Sequence, residues 1–285
     1  FILLYVFIHL CSVIAAFSCT TAIISGKATP DGRPLMWKHR DSDNYHNKLM
    51  FFEGDRFNFI GLVNSEDIHG EEIWAGTNDA GFCIMNSASY NLKKKEDTTK
   101  VMDKEGFLMK KALEQCATVD EFEQFLNDYP RPMQVEANFG VIDALGNGAY
   151  FETCNFSYTK FDVNDPEVAP QGYILRSNFS YTGIKDKGWG FIRYETARRY
   201  FAEAEAIGKI DLEFILGKPS RSFDHSLTEI NYLENLPENK EKQQLVFWED
   251  MITRYSSVSS IIFQGVKKDE APVLTTMWTV LGFQF

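Results

Sequence analysis

The chain opens with a segment that carries almost no charge. Its first 18 residues, FILLYVFIHLCSVIAAFS, contain no acidic or basic side chain apart from His9, whereas charged residues are spread through the sequence from Cys19 onward. Eighteen apolar residues just suffice to span a bilayer, so the segment predicts a transmembrane anchor or the apolar core of a secretory signal. Ala16 and Ser18 place small residues at the positions that signal peptidase reads, and no basic stop-transfer cluster follows. We therefore predict a cleaved signal peptide over residues 1–18 and a secreted or periplasmic protein.

The remainder, residues 19–285, has the composition of one folded domain. The chain is 44% hydrophobic and 24% charged, which is too apolar for a disordered protein. No linker, repeat or break in composition divides it. The initiator Met is missing, and the last residues, TMWTVLGFQF, have the pattern of an interrupted strand, so we expect truncation at both ends.

Charge and cysteine spacing exclude several classes of function. The chain has 29 basic and 40 acidic side chains and a net charge of -11, which argues against binding to nucleic acid and restricts membrane contact to the leader. After cleavage four widely spaced cysteines remain, and neither CxxC nor HExxH occurs. The sequence therefore predicts no metal site and no cofactor. A homo-oligomer is compatible with these features.

Three strand pairs are separated by clusters of turn residues. CTTAIISG and PLMWKHRD flank ATPDGR, and together they predict a hairpin that begins at Cys19. EEIWAGTND and GFCIMNSASYN form the second pair, and ANFGVID and GAYFETCNF the third. A last strand-turn-strand covers the C-terminal region, from SVSSIIFQ onward. Antiparallel hairpins are thus expected to dominate the sheets.

Helical patterns lie between and after these strands. Apolar residues recur at helical spacing over 104–116, and Thr118 with Glu121 forms a capping-box signal for a second helix. Further helices are predicted over 191–206 and 210–216. Hairpins interspersed with helices indicate a mixed α+β domain in which helices cover antiparallel sheets.

Cleavage after Ser18 would give Cys19 a free α-amine beside its thiol. Free α-amines titrate near 8 and thiols near 8.5, so one residue would combine a nucleophile with its own base. The predicted hairpin returns Arg40, Asp41 and Asp43 to the position of Cys19. We expect Arg40 to stabilise the thiolate and to keep the amine neutral, and Asp43 to hold the amine or Arg40.

The block CTTAIISGKATPDGRPLMWKHRDSD resembles the opening of N-terminal-nucleophile (Ntn) amidases of the choloylglycine hydrolase group. This group includes bile salt hydrolases, penicillin V acylases and acyltransferase-like linear amide C-N hydrolases. Their N-terminal Cys and Arg-x-x-Asp element match Cys19, Arg40 and Asp43. The resemblance implies a four-layer αββα sandwich of two antiparallel sheets flanked by helices.

Three further blocks extend the resemblance. TNDAGFCIMNSASYN is similar to a strand of the family that ends in an oxyanion-hole Asn, here Asn86. YILRSNFS is similar to an element whose Asn donates to the oxyanion, here Asn178. IRYETARR is similar to a helix start with an Arg near the site, here Arg193. Amide donors at a developing oxyanion are worth a few kcal/mol each.

The resemblance implies a hydrolase that cleaves a linear amide bond of a small N-acyl compound through a Cys19 thioester. Within the same fold, an acyltransferase and a secreted dipeptidase are alternatives. A Cys-His arrangement with His39 is another. From a different class, the chain could be a membrane-anchored lipoprotein with a binding function, in which Cys19 is the lipidated residue.

Overall fold

The computed structural model describes residues 18–235 and 248–283. The predicted leader lies outside these residues apart from Ser18. The strands in chain order are β1 (Cys19–Ile24), β2 (Leu35–Asp41), β3 (Asn47–Phe52), β4 (Phe59–Asn64), β5 (Ala75–Asn78), β6 (Cys83–Ala88), β7 (Ala137–Ile142), β8 (Gly148–Thr153), β9 (Tyr158–Asp162), β10 (Tyr173–Arg176), β11 (Asp224–His225), β12 (Ile230–Asn231), β13 (Ser257–Gln264) and β14 (Thr276–Leu281).

The helices complete the description. The α-helices are α1 (Glu105–Gln115), α2 (Val119–Asp128), α3 (Phe191–Ala206) and α4 (Leu212–Gly217). Short 3-10 turns cover Pro219–Arg221, Trp248–Asp250 and Pro272–Leu274. Among the described residues, none of these helices combines the length and the apolar character that crossing a bilayer requires.

Two large antiparallel sheets form the centre of the domain. Sheet 1 has the strand order β10-β1-β2-β13-β14, and sheet 2 has the order β3-β4-β5-β6-β7-β8-β9. Strands β11 and β12 pair separately. In sheet 1, β1 is flanked on both sides by antiparallel partners, β2 and β10, so the start of β1 adjoins the ends of both.

Three buried apolar clusters stack the elements in layers. Between the sheets, Ile23 and Met36 of sheet 1 cluster with Met85 and Tyr150 of sheet 2. On the outer side of sheet 2, a second cluster includes side chains of α1 and α2, among them Leu108, Met109 and Phe122. On the outer side of sheet 1, a third cluster includes side chains of α3 and α4, among them Ala197, Phe201 and Ile215. The layer order is therefore helix, sheet, sheet, helix, and the predicted αββα sandwich is confirmed.

The local signals of the sequence account for much of this order. The hairpin predicted to begin at Cys19 is β1–β2, and its turn uses Gly32 at a φ of +79°, a conformation that costs glycine least. The other two predicted hairpins are β5–β6 and β7–β8. At the start of α2, Thr118 Oγ1 accepts a hydrogen bond from the Glu121 backbone N–H at 3.1 Å, as the capping-box pattern predicts.

Candidate active site

Cys19 is the first residue of β1, and the pairing of β1 determines its neighbours. In the register with β2, Cys19 lies directly opposite Arg40. On the other side, the chain leaving β10 reaches Asn178, whose Oδ1 accepts a hydrogen bond from the Cys19 backbone nitrogen at 3.1 Å. Cys19 is only 6% exposed, yet it lines a cavity of about 210 Å³. The antiparallel order of sheet 1 thus brings Cys19, Arg40 and Asn178 together.

Arg40 occupies the same cavity wall as Cys19. Its guanidinium lies 5.0 Å from the ring centre of Trp74 and donates hydrogen bonds to Asn64 Oδ1 at 3.0 Å and to Asn47 Oδ1. Burial lowers the pKa of Arg40 to about 10, which leaves it charged at neutral pH. All three contacts orient this cation without neutralising it, because none of the partners carries a negative charge.

Arg193, in the first turn of α3, binds the backbone of Cys19 directly. Its Nη1 donates to the Cys19 carbonyl oxygen at 2.9 Å, and its Nη2 donates to Asn178 Oδ1 at 2.8 Å. Asn178 Nδ2 in turn donates to the Ala88 carbonyl oxygen at 2.9 Å. The nitrogen and the carbonyl of Cys19 are therefore both held by buried polar side chains. Burial lowers the pKa of Arg193 to about 10, so it is charged at neutral pH.

Asn86 extends the site from sheet 2. It belongs to β6, is 6% exposed and lines the same cavity as Cys19. Its Oδ1 accepts a hydrogen bond from Lys38 Nζ at 2.7 Å. The structure thus places Asn86, which the sequence predicts as an oxyanion donor, on the wall of the cavity that Cys19 lines.

The structure leaves Asp43 outside the cavity, although its charge still acts on Arg40 and opposes the lowering of the Arg40 pKa by burial. Asp43 is exposed two residues beyond the end of β2 and does not line the cavity. Asp41 lines it instead, and its Oδ2 accepts from Arg254 Nη2 at 2.8 Å and Nε at 3.1 Å. His39 alternates with Arg40 along β2 and contacts Ser257 at 3.0 Å, away from Cys19. The geometry thus gives no support to a Cys-His arrangement.

Sequence reasoning missed two residues around this site, Lys38 and Arg254, whereas Asp41 was expected beside Cys19 but was given no role of its own. A signal for Lys38 exists, because it lies two positions before Arg40 in a strand and therefore shares its face. No comparable signal exists for Arg254, which reaches Asp41 from a distant part of the chain. Within the described ranges, no group of His, Cys, Asp and Glu side chains is arranged to hold a metal ion.

Comparisons with known proteins bear on the fold. No family model matches the sequence, and a search of the curated proteins finds no match.

Solved structures do match. An N-acylethanolamine-hydrolyzing acid amidase ortholog from Caenorhabditis elegans superposes with a TM-score of 0.56 at 14% identity, covering 92% of this chain and 99% of that one. A variant of conjugated bile acid hydrolase from Clostridium perfringens superposes with a TM-score of 0.50 at 13% identity, covering 93% and 98%. The similarity therefore extends over nearly the whole length of both neighbours. The chain has the fold of the Ntn hydrolases of the choloylglycine hydrolase type, which its opening motif resembles.

Proposed function

We propose that the processed chain is an N-terminal cysteine amidohydrolase that cleaves a linear amide bond of a small N-acyl compound. The observation that carries the proposal is the position of Cys19: it begins an interior strand of sheet 1, its backbone is held by Asn178 and Arg193, and it lines a cavity beside Arg40. The solved structures with this fold include proteins named as amide-cleaving enzymes.

The proposed activity requires cleavage of the bond between Ser18 and Cys19. Signal peptidase would make this cut during export, so that secretion or delivery to the periplasm and activation of the enzyme become one event. The Ser18 carbonyl oxygen accepts a hydrogen bond from the Asp41 backbone N–H at 2.9 Å. Cleavage frees that donor at the edge of the cavity.

The chemistry then proceeds in two steps. The Cys19 α-amine takes the thiol proton, and the thiolate, stabilised by the charge of Arg40, adds to the amide carbonyl carbon. The C–N bond breaks, the leaving amine takes the proton from the α-ammonium, and a thioester remains. Water then gives a proton to the α-amine and adds to the thioester, which releases the carboxylic acid and restores Cys19.

The polar side chains around Cys19 divide the remaining tasks. Asn86 donates from Nδ2 to the oxyanion that forms in each step. Asn178 was predicted as a second oxyanion donor; since its Oδ1 accepts from the Cys19 nitrogen, we assign it to orient the α-amine. Arg193 fixes the Cys19 carbonyl and Asn178 together. Asp43 is exposed and its charge acts on Arg40, so we assign it to the support of Arg40 and not to contact with the α-amine.

Mass spectrometry of the mature N-terminus is the first test. An unmodified N-terminal Cys19 is expected, whereas a diacylated Cys19 or an intact leader would contradict the proposal. The second test is turnover of bile-salt, penicillin V, N-acyl amino acid and dipeptide amides. An amide product formed on addition of a free amine would identify an acyltransferase.

Paired variants isolate the nucleophile. Cys19→Ser is expected to abolish turnover, because a hydroxyl is a far weaker nucleophile than a thiolate near neutral pH. Cys154→Ser is the matched control: that thiol is partly exposed and contacts Ser157 Oγ at 3.4 Å, outside the cavity. A Cys19→Ser protein that retains the wild-type rate would refute the proposal.

A further inference from the structure

Lys38 is a buried cation that connects the two sheets beside Cys19. It lies on β2 opposite Thr21, is 1% exposed and lines the cavity. Its Nζ donates to the Trp74 carbonyl oxygen and to Asn86 Oδ1, both at 2.7 Å. Burial lowers the pKa of Lys38 to about 8, so the ammonium form prevails at pH 7. The attack by the Cys19 thiolate, supported by Arg40, gives Lys38 no role.

The chemistry of an ammonium group determines which end of the Asn86 amide can face it. An ammonium has three donors and no acceptor, while an Asn side chain has one acceptor end and one donor end. If Asn86 were turned over, its NH₂ group would meet Lys38 donor against donor, and both buried groups would lose a hydrogen bond. Lys38 therefore selects the orientation in which Oδ1 points toward it.

The same selection turns Asn86 Nδ2 away from Lys38. Within residues 18–235 and 248–283, this nitrogen donates no hydrogen bond, and it is not among the atoms that are both buried and without a partner, so it retains some access to the cavity. Because Asn86 lines the cavity with Cys19, the amide nitrogen is left available for a ligand oxygen. An amide donor held in advance costs no reorganisation when charge develops on a substrate oxygen.

We propose that Lys38 is a positioning residue: it locks the Asn86 amide so that Nδ2 serves as a preorganised oxyanion donor. This inference rests on the proposed amidase function. It assigns to Lys38 an effect on catalysis that passes through Asn86 and that vanishes when Asn86 is removed.

A double-mutant cycle on the processed enzyme tests this dependence. Loss of an oxyanion-hole donor lowers kcat by about 10²–10³-fold, and Lys38→Met, which loosens the donor without deleting it, is expected to lower kcat by about 10-fold or more. In an Asn86→Ala background, Lys38→Met is expected to change kcat by less than about 2-fold, since coupled residues are not additive. An equal loss in both backgrounds would overturn the proposal, because support of the Cys19 thiolate by charge alone gives that result.

Two further variants separate positioning from folding. Lys48→Met is the matched control, because Lys48 Nζ donates to the Ser65 carbonyl at 3.2 Å outside the cavity, and wild-type kcat is expected. Asn86→Asp keeps an acceptor for Lys38 but lacks the donor, so it is expected to fold and to lose kcat about as far as Asn86→Ala. Wild-type turnover by Asn86→Asp would show that Asn86 only anchors Lys38.

Crystal structures of the wild type and of Lys38→Met give a readout that needs no turnover. The Asn86 side chain is expected to rotate or to become disordered when Lys38 is replaced. An unchanged Asn86 amide in Lys38→Met would refute the inference. If the wild type cleaved none of the amides, the proposed function would fail, while the Asn86 orientation would still decide the role of Lys38.

Discussion

His39 should make the stability of this fold depend on pH, and the structure gives the sign. Its Nε2 lies 3.0 Å from Ser257 Oγ, and that hydroxyl donates to Asp41 Oδ1 at 2.7 Å. Since the Ser257 proton is used in this way, we assign the ring proton to Nε2, which donates to Ser257. His39 Nδ1 is then an unprotonated, buried nitrogen with no hydrogen-bond partner in the part of the chain that the structure describes. A proton on Nδ1 would place an unpaired charge in the core, and burial lowers the pKa of His39 from 6.5 to about 4.

The magnitude follows from the difference between the folded and unfolded pKa values. Below pH 6.5 the unfolded chain binds a proton at His39 that the folded chain excludes, so stability is complete above 6.5 and falls with pH until about 4. Between pH 7.5 and 5.0 this single group removes about 2 kcal/mol from the free energy of unfolding. His39→Leu lacks the titration and should lose about 2 kcal/mol less over the same interval.

Urea unfolding at pH 7.5 and pH 5.0 measures this difference. The test compares the free energies of unfolding of the wild type and His39→Leu at each pH. The change in their difference between pH 7.5 and pH 5.0 reports on His39 alone, because both proteins share all other titrating groups. His46→Leu is the control, since His46 is exposed and should follow the wild type. If the wild-type and His39→Leu free energies run parallel between the two pH values, the reasoning from burial is refuted.

Two further buried charges can be probed by substitution: Glu105, which lines the cavity with Cys19, and Arg176, which does not. Burial raises the pKa of Glu105 from 4.5 to about 7, so its contribution to stability is complete below pH 4.5 and is lost as pH rises through 7. Glu105→Gln lacks this titration. Its free energy of unfolding, measured in urea, should therefore fall by about 3 kcal/mol less than that of the wild type between pH 4.5 and pH 8. Arg176 and Glu152 form a fully buried ion pair at 3.0 Å. Arg176→Met should therefore cost about 3–5 kcal/mol in the free energy of unfolding, and Arg176→Met/Glu152→Leu should cost less than Arg176→Met alone.

The part of the fold that the sequence predicts is the part that depends on local signals. The three hairpins were predictable because turn residues separate short apolar strands, and α2 because Thr118 caps it. Strands β3 and β9 at the edges of sheet 2 were not predicted. Strand β3 carries apolar side chains at its exposed positions, Leu49 and Phe51, and β9 is partly buried along most of its length, so neither sequence alternates cleanly between polar and apolar residues. Strand β10 has four residues, too few to establish a period.

In the site too, contacts made within one hairpin could be predicted, and contacts between distant segments could not. Cys19 and Arg40 come together through one hairpin, so the sequence alone predicts their contact. Asp43 was predicted from the hairpin to hold the α-amine or Arg40, and the Arg-x-x-Asp element of the resemblance matches it as well, whereas Asp41 was given no role. Which carboxylate is buried depends on Arg254, and Arg254 reaches the end of β2 only because β13 pairs with β2 across more than two hundred residues. Pairing at such a separation leaves no local trace in the sequence.

The pairing of Asp41 with Arg254 also affects the charge that Arg40 presents to Cys19. Asp41 follows Arg40 in β2, and an unpaired carboxylate there would offset the charge of Arg40 beside the thiol. Instead, Arg254 donates two hydrogen bonds to Asp41 Oδ2, and the Ser257 hydroxyl donates one to Asp41 Oδ1. Arg40 contacts only uncharged side chains in its hydrogen bonds, so its charge stays available to a thiolate. Arg254, which pairs Asp41 in this way, lies in the segment just before β13, a strand that pairs with β2 and not with the strand of Cys19.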